Sequence, residues 1–342
     1  MNKFDVANGP AVFIMPHWSK DGAPIERQWL DQTLSSIRAQ TDPNWKIVIA
    51  DGNSPSEAAK AYLRQLEQEF GGKLEIIFMP HSDGPGHARN VAIEHAYRAG
   101  YPFIVFLDAD DLAHPQRVEI ARQTFLTQPE VGVVYSTFQV IDEESQPVPA
   151  AQLSQSILEI LESHETNPPQ GPDAWIQIAT ETGYTNLTST TSVRTEIAHA
   201  HPFPPEKVSE DYYTWLVYSA SGAAFYYTPL TPTQYRIPQH TAGSASRSRE
   251  GGKHGFYTTK CRVDSLGFRE AARMALERGV ITPEQHTQLQ IKFLLKEAET
   301  MGREQEMDLA AQCYAQAVAA DRDLTAQLVR ELGFASRPWV TP

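Results

Sequence analysis

Short apolar runs and stretches of helical periodicity alternate along the first 140 residues of the chain. Residues 11–15 form one such run, closed by Pro16, and residues 46–50, 74–79, 103–107 and 131–140 repeat it at strand length. Between them, residues 26–40 set Trp29, Leu30, Leu34 and Ile37 on one helical face, and 56–70, 88–99 and 115–127 also read as helices. Strands alternating with helices at this spacing predict βαβ units, hence an α/β fold with a mostly parallel central sheet flanked by helices. Ligands of such sheets sit outside the carboxyl ends of the strands. Asp51, the loop after Met79 and residues 108–111 fall at those ends, so three polar clusters are expected to converge.

The pattern then changes. Residues 150–167 read as a polar helical insertion, 173–180 as a short helix, and 186–194 as a Thr/Ser-rich strand or loop. Residues 209–219 form a helix with an acidic start, and 223–227 a strand. Residues 243–255 are rich in Gly, Ser, Arg and Lys without apolar period, which predicts a mobile loop closing a first domain of residues 1–242. Residues 256–342 form a C-terminal extension of three or four helices. One helix start is marked by Thr282, Pro283 and Gln285, the spacing of a capping box.

Composition narrows the function classes. Hydrophobic residues make up 41% and charged residues 21% of 342, enough to build a sizeable core. Lys and Arg number 29 against 42 Asp and Glu, a formal charge of −13 that argues against a nucleic-acid partner. Cys261 and Cys313 make no disulfide framework and show no metal spacing. No signal-peptide pattern opens the chain, and no apolar run approaches the roughly 18–20 residues needed to span a bilayer. A cytoplasmic protein is expected, with room for a peripheral membrane contact; the oligomeric state stays open.

The candidate chemistry lies in four clusters. Asp108-Ala109-Asp110-Asp111 follows an apolar strand, so alternate carboxylates can point toward one divalent cation; a solvated acidic turn is the plainer alternative. Asp51-Gly52-Asn53-Ser54 ends the second strand, where Asp51 either accepts a hydrogen bond from a base or ribose or closes an Asx-turn. Gly84-Pro85-Gly86 leads into His87-Ala88-Arg89-Asn90 at a helix start, a setting for an anion with Arg89 adding charge, or for a structural ion pair. Glu210-Asp211 opens a helix behind Ser209. There the carboxylates either complement the helix dipole or supply a general base. His17 and His81 sit at strand ends near the cleft, and Trp175 and Tyr184 either stack on acceptor sugars or pack in the core.

In this order the clusters resemble the inverting family-2 glycosyltransferases with the GT-A fold, over about residues 10–240. Residues 40–45 are similar to the family's Q-T-x-P-x-W stretch, Asp51 and Ser54 to its D-D-G-S, and Gly84 to Asn90 to its G-x-x-x-A-R-N. Residues 108–117 resemble D-A-D-D-x-x-x-P-x-R, Glu210-Asp211-Tyr212 the E-D-Y segment, and Tyr235, Arg236, His240 and Ser244 the Y-R-x-H-x-x-S ending. The chain departs at Gly52 and Asn53, at Pro16-His17-Trp18, and by two extra residues, Pro238 and Gln239, before His240.

The resemblance implies a nucleotide-sugar half over about 10–115 and an acceptor half over about 116–242. It implies donor contacts from Pro16, Asp51, Ser54, Gly84, Arg89, Asp108, Ala109 and Asp110, and Mn²⁺ or Mg²⁺ held by Asp110 and Asp108 with His240 as a further ligand. Asp211 is then the base, and Glu210 positions the acceptor hydroxyl or supports the helix start. The expected reaction moves a sugar from a nucleotide-sugar, a UDP-sugar first, to a hydroxyl of a glycan, lipid-linked or small-molecule acceptor in surface polysaccharide or glycolipid synthesis. Arg247, Arg249 and Lys253 either close over the diphosphate or lie on a plain linker. Rivals are an inactive sugar-binding scaffold and a phosphohydrolase, which needs Thr or Val where Leu112 stands. No G-x-G-x-x-G follows the first strand, which speaks against a dinucleotide oxidoreductase.

Overall fold

The computed structural model describes residues 3–239 and 252–340, so His240, Arg247 and Arg249 lie outside the described residues. Seven strands form one sheet: β1 (Ala11–His17), β2 (Trp45–Asp51), β3 (Leu74–Phe78), β4 (Phe103–Phe106), β5 (Val131–Ile141), β6 (Thr191–Arg194) and β7 (Ala224–Arg236). Their order is β3-β2-β1-β4-β6-β5-β7. Short β6 runs antiparallel to β4 and β5, and every other pairing is parallel. The sheet is thus mostly parallel, with one reversed strand at its centre.

Period-two alternation sends both strand faces into apolar layers. Val12, Ile14, Val48, Ala50, Ile104 and Phe106 face one layer, and Phe13, Met15, Ile47, Ile49, Phe103 and Val105 the other. The second layer is closed by α1 (Pro24–Arg38), α2 (Glu57–Phe70) and α4 (Arg117–Thr127) through Leu30, Leu34, Leu63, Leu66, Val118 and Phe125. Ser56 starts α2, accepting a hydrogen bond from the Ala59 amide, and Gly71 ends it in the left-handed conformation.

The first layer holds α3 (Pro85–Ala99), and between β5 and α8 lie α5 (Gln155–Thr166), the short α6 (Trp175–Gln177) and α7 (Thr195–Ala200). This layer continues through α8 (Glu210–Ala220) into α9 (Lys253–Glu277), α10 (Pro283–Arg303), α11 (Met307–Ala320) and α12 (Arg322–Glu331). Trp175, Trp215, Phe268, Phe293 and Leu294 belong to that one cluster, so the C-terminal helices share the core of the sheet. The capping box at Thr282 and Gln285 is present with both of its hydrogen bonds. Among the described residues, no helix is long and apolar enough to cross a membrane.

Three elements differ from the sequence expectation. β1 runs on through Pro16 to His17, opposite Ala50 and Asp51. Its pairing with β4 ends at Ile14, so the missing proline N–H leaves that ladder intact. β7 reaches Arg236 instead of ending at Tyr227, because its register with β5 shifts between Thr228 and Thr233. The segment holding Pro229 and Pro232 lies in that shift, with Leu230 exposed. Residues 253–255, expected in a loop, form the first turn of α9, where Lys253 Nζ lies 3.5 Å from Glu304.

Candidate active site

Each strand end carries its polar cluster because the apolar strand stops there. Asp51, the last residue of β2, is fully buried. Its Oδ1 accepts from His17 Nδ1 at 2.8 Å and from Ser54 Oγ at 2.5 Å, and its Oδ2 accepts from the Ser54 amide at 3.0 Å. Ser54 Oγ in turn accepts from the Ser19 amide. These bonds hold the Asp51 carboxyl below the usual range against the opposing effect of burial. They also lock the β1 and β2 ends side by side, where Pro16 of β1 lies opposite Ala50 of β2.

The aspartate turn after β4 is braced from far along the chain. The Asp108 amide donates to Ser189 Oγ, Thr33 Oγ1 donates to the Ala109 carbonyl, and Leu112 exchanges backbone hydrogen bonds with Gln234 of β7. Arg236 donates from Nε to the Asp110 carbonyl and from its amide to Asp111 Oδ1. Arg117, buried behind the turn, donates to the carbonyls of Phe106, Ser189 and Thr191, and burial lowers its guanidinium to about 9.

Asp108 and Asp110 remain partly exposed, whereas Asp111 is buried with an unpaired Oδ2. Burial and the neighbouring Asp108 push Asp110 up to about 6, and burial with both neighbours pushes Asp111 well up.

Arg89 joins this turn to α8. Its Nη2 donates to Asp108 Oδ1 at 2.7 Å and its Nη1 to Glu210 Oε1 at 3.1 Å, with the guanidinium side chain 4% exposed. Gly84, at a positive φ of 127°, and Pro85 open α3; a Cβ on Gly86 would lie 3.2 Å from Glu210 Cγ, so the small residue permits this approach. Arg89 therefore stands between Asp108 and Glu210 as a buried bridge, the ion-pair alternative of the sequence reading. Glu210 is buried beside it, its carboxyl raised by burial and restrained by Arg89. Asp211 is partly exposed at the opening of α8, and burial pushes its carboxyl up to about 6.

Asp108, Glu210 and Asp211 thus lie within the field of the Arg89 guanidinium, and Asp110 and Asp111 within that of Arg236. The Tyr235 phenol lies within the field of four of these carboxylates, which with burial drives it well above its ordinary value. Neither Tyr235 nor Ser189 was singled out by sequence as a site residue. Each is an ordinary strand or loop residue whose place depends on pairing with distant segments.

Other expectations resolve simply. Trp175 is fully buried against Phe268, and Tyr184 stacks on Tyr212 at 5.8 Å. His81, Asp83 and His87 form a group whose ligand atoms lie within 4.8 Å of one another on the loop before α3. His81 and Asp83 are largely exposed, and His87 Nδ1 already accepts the Asp83 amide.

Residues 23–185 match the family described as Glycosyl transferase family 2. A curated relative, the UDP-Glc:alpha-D-GlcNAc-diphosphoundecaprenol beta-1,3-glucosyltransferase WfgD of Escherichia coli, is 25% identical over 117 residues, 34% of this chain and 43% of WfgD. The chain spans less than half the length of the curated relatives it matches. The structure of S. aureus TarS 1–349 in complex with UDP superposes with a TM-score of 0.53 at 16% identity, covering 95% of this chain and 92% of that one. The mannosyltransferase PcManGT of Pyrobaculum calidifontis, in complex with GDP-Man and Mn²⁺, gives 0.55 at 18% identity, covering 98% and 83%. These likenesses establish the GT-A fold.

Proposed function

Through residues 23–185 the chain belongs to glycosyl transferase family 2, and from that premise we propose that it is an inverting, metal-dependent transferase that uses a UDP-sugar. The observation that carries this reading is the Arg89 bridge, which ties Asp108 of the aspartate turn to Glu210, the neighbour of Asp211. Donor-side and acceptor-side carboxylates are thereby fixed relative to each other before any substrate arrives.

Asp211 serves as general base. A carboxyl held near 6 is ionised at neutral pH and still basic enough to accept a proton from a hydroxyl. As that proton moves to Asp211, the acceptor oxygen bonds to the anomeric carbon and the bond to the diphosphate oxygen breaks. The nucleoside diphosphate leaves from the opposite face, so configuration inverts. Glu210 holds the start of α8 through Arg89. Asp51, Ser54 and Pro16 shape the nucleobase end of the cleft, and Gly84 and Ala109 bring backbone close to the donor.

The residues fit a divalent cation: clustered carboxylates outnumber the nearby guanidiniums, and Asp111 Oδ2 beside them is buried without a hydrogen-bond partner. Asp108 and Asp110, with His240 as a further candidate ligand, would hold Mn²⁺ or Mg²⁺, which would supply positive charge for the leaving diphosphate.

UDP as nucleotide is supported by the UDP complex of TarS. A lipid-linked glycan acceptor is supported by the diphosphoundecaprenol-linked acceptor named for WfgD. The test is calorimetric titration of UDP and GDP with and without Mn²⁺. UDP binding that requires metal and disappears in Asp110→Ala is expected. Nucleotide binding without metal, or none at all, refutes the reading.

A further inference from the structure

Helix α8 begins in an unusual way. Ser209 occupies its N-cap in the left-handed conformation, φ 61°, and its hydroxyl makes no cap hydrogen bond to the helix. An N-cap serine ordinarily adopts extended backbone and accepts an amide two or three residues on. Here Ser209 Oγ donates to Asp264 Oδ1 of α9 at 2.5 Å. Asp264 is fully buried, and its other oxygen accepts from Lys260 Nζ, which lies 3.7 Å from Glu297 of α10.

Two further contacts flank this one. Arg262 of α9 makes a two-pronged pair with Glu206, at 2.7 and 2.6 Å. Gly267 lies so close to α8 that a Cβ would stand 2.9 Å from the Tyr213 Cα. The segment 262–267 of α9 therefore grips the chain at residues 206, 209 and 213, on both sides of Glu210 and Asp211. All of these positions lie beyond the residues matched to the family.

We propose that α9 is a positioning element for the base: Asp264, charged and held by Lys260, orients Asp211 by anchoring the left-handed turn at Ser209. A left-handed serine is strained and persists only where its surroundings over-determine it. Its hydroxyl bond to Asp264 fixes the direction in which α8 leaves the turn. The next residues are the two carboxylates that face Arg89 and the cleft. This inference rests on Asp211 being the base.

Three variants test it. Ser209→Gly keeps the backbone conformation and removes the anchor; Asp264→Asn removes the charge that holds Lys260; Phe293→Leu loosens the Phe268–Phe293 stack in the same helical layer and leaves the anchor intact. Hydrogen–deuterium exchange across residues 206–213 is expected to quicken about tenfold or more in the first two and to stay at the wild-type rate in the third.

Turnover, read as UDP release from UDP-glucose and UDP-GlcNAc, is expected to fall about 10- to 100-fold in the first two variants, with UDP affinity within about twofold and KM unmoved. Unchanged exchange at 206–213 in both variants overturns the inference. So does undiminished kcat, or a kcat loss that Phe293→Leu reproduces at an equal fall in Tm. A wild-type protein that releases no UDP refutes the transferase reading instead, and the exchange comparison still decides whether α9 anchors the turn.

Discussion

Arg89→Met keeps an unbranched apolar stem and deletes the guanidinium, whose carbon lies 5.5 Å from the Phe203 ring and whose charge Asp108 and Glu210 share. Breaking a buried ion pair by removing one partner costs about 3–5 kcal/mol. Asp108 is 30% exposed and Glu210 only 10%, so most of the penalty falls on Glu210 and the lower end, about 3 kcal/mol, applies. At about 2.1 cal/mol/K per residue, the unfolding entropy of 342 residues is about 0.7 kcal/mol/K, so Tm falls by roughly 4 °C.

The loss depends on pH with a definite sign. Burial already raises the Glu210 carboxyl while Arg89 restrains it, so removing Arg89 raises it further. The folded variant then binds a proton more readily than the unfolded chain does, and its stability declines as pH rises through that range. The gap between wild type and variant is therefore wider at pH 7.5 than at pH 5. Thermal melts of Arg89→Met and Arg89→Met/Glu210→Gln at both values are the assay. The double variant should recover more than half of the loss at pH 7.5, because the stranded charge is gone. A loss below about 1 kcal/mol, or no recovery on neutralising Glu210, refutes the bridge as a source of stability.

Two further outcomes follow from the site. Because Asp211 is raised to about 6, turnover should climb through pH 6 and level off above about pH 7, and Asp211→Asn should lower kcat by about 10²–10⁴ without weakening UDP; a flat profile from pH 5 to 8 contradicts its role as base. Gly86→Ala brings a Cβ to 3.2 Å from both Glu210 Cγ and Phe203 Cβ, and as a modest overpacking it should cost about 1–3 kcal/mol and lower turnover about tenfold. An unchanged melt and rate would show that α3 and Glu210 are not in register.

Much of the architecture is legible in local pattern. Short apolar runs bounded by helical stretches locate β1 to β5, and the ends of those strands locate Asp51 and the aspartate turn. β7 is harder to see, since Pro229 and Pro232 read as breakers unless the shifted register with β5 is known. The direction of Arg89 is likewise invisible locally. A positive charge at a helix start fits an anion, yet its partner Glu210 lies 121 residues away and no short-range signal marks the pair. The same holds for Ser209 and Asp264, 55 residues apart. Motif spacing identifies which residue types gather, whereas long-range pairing decides which of them face the cleft and which hold it together.

The pairing of Asp111 with Arg236, 125 residues apart, also bears on how the molecule comes into being. Contacts of such separation close late, after most of the loop-closure entropy has been overcome. A chain emerging from synthesis therefore carries its aspartate run long before Arg236 arrives to receive it. A fragment ending short of β7 retains the family-matched residues 23–185. It leaves the Asp111 carboxylate to find a proton or a stray cation instead. Attempts to express that fragment alone should yield material that folds better in mild acid than at neutral pH.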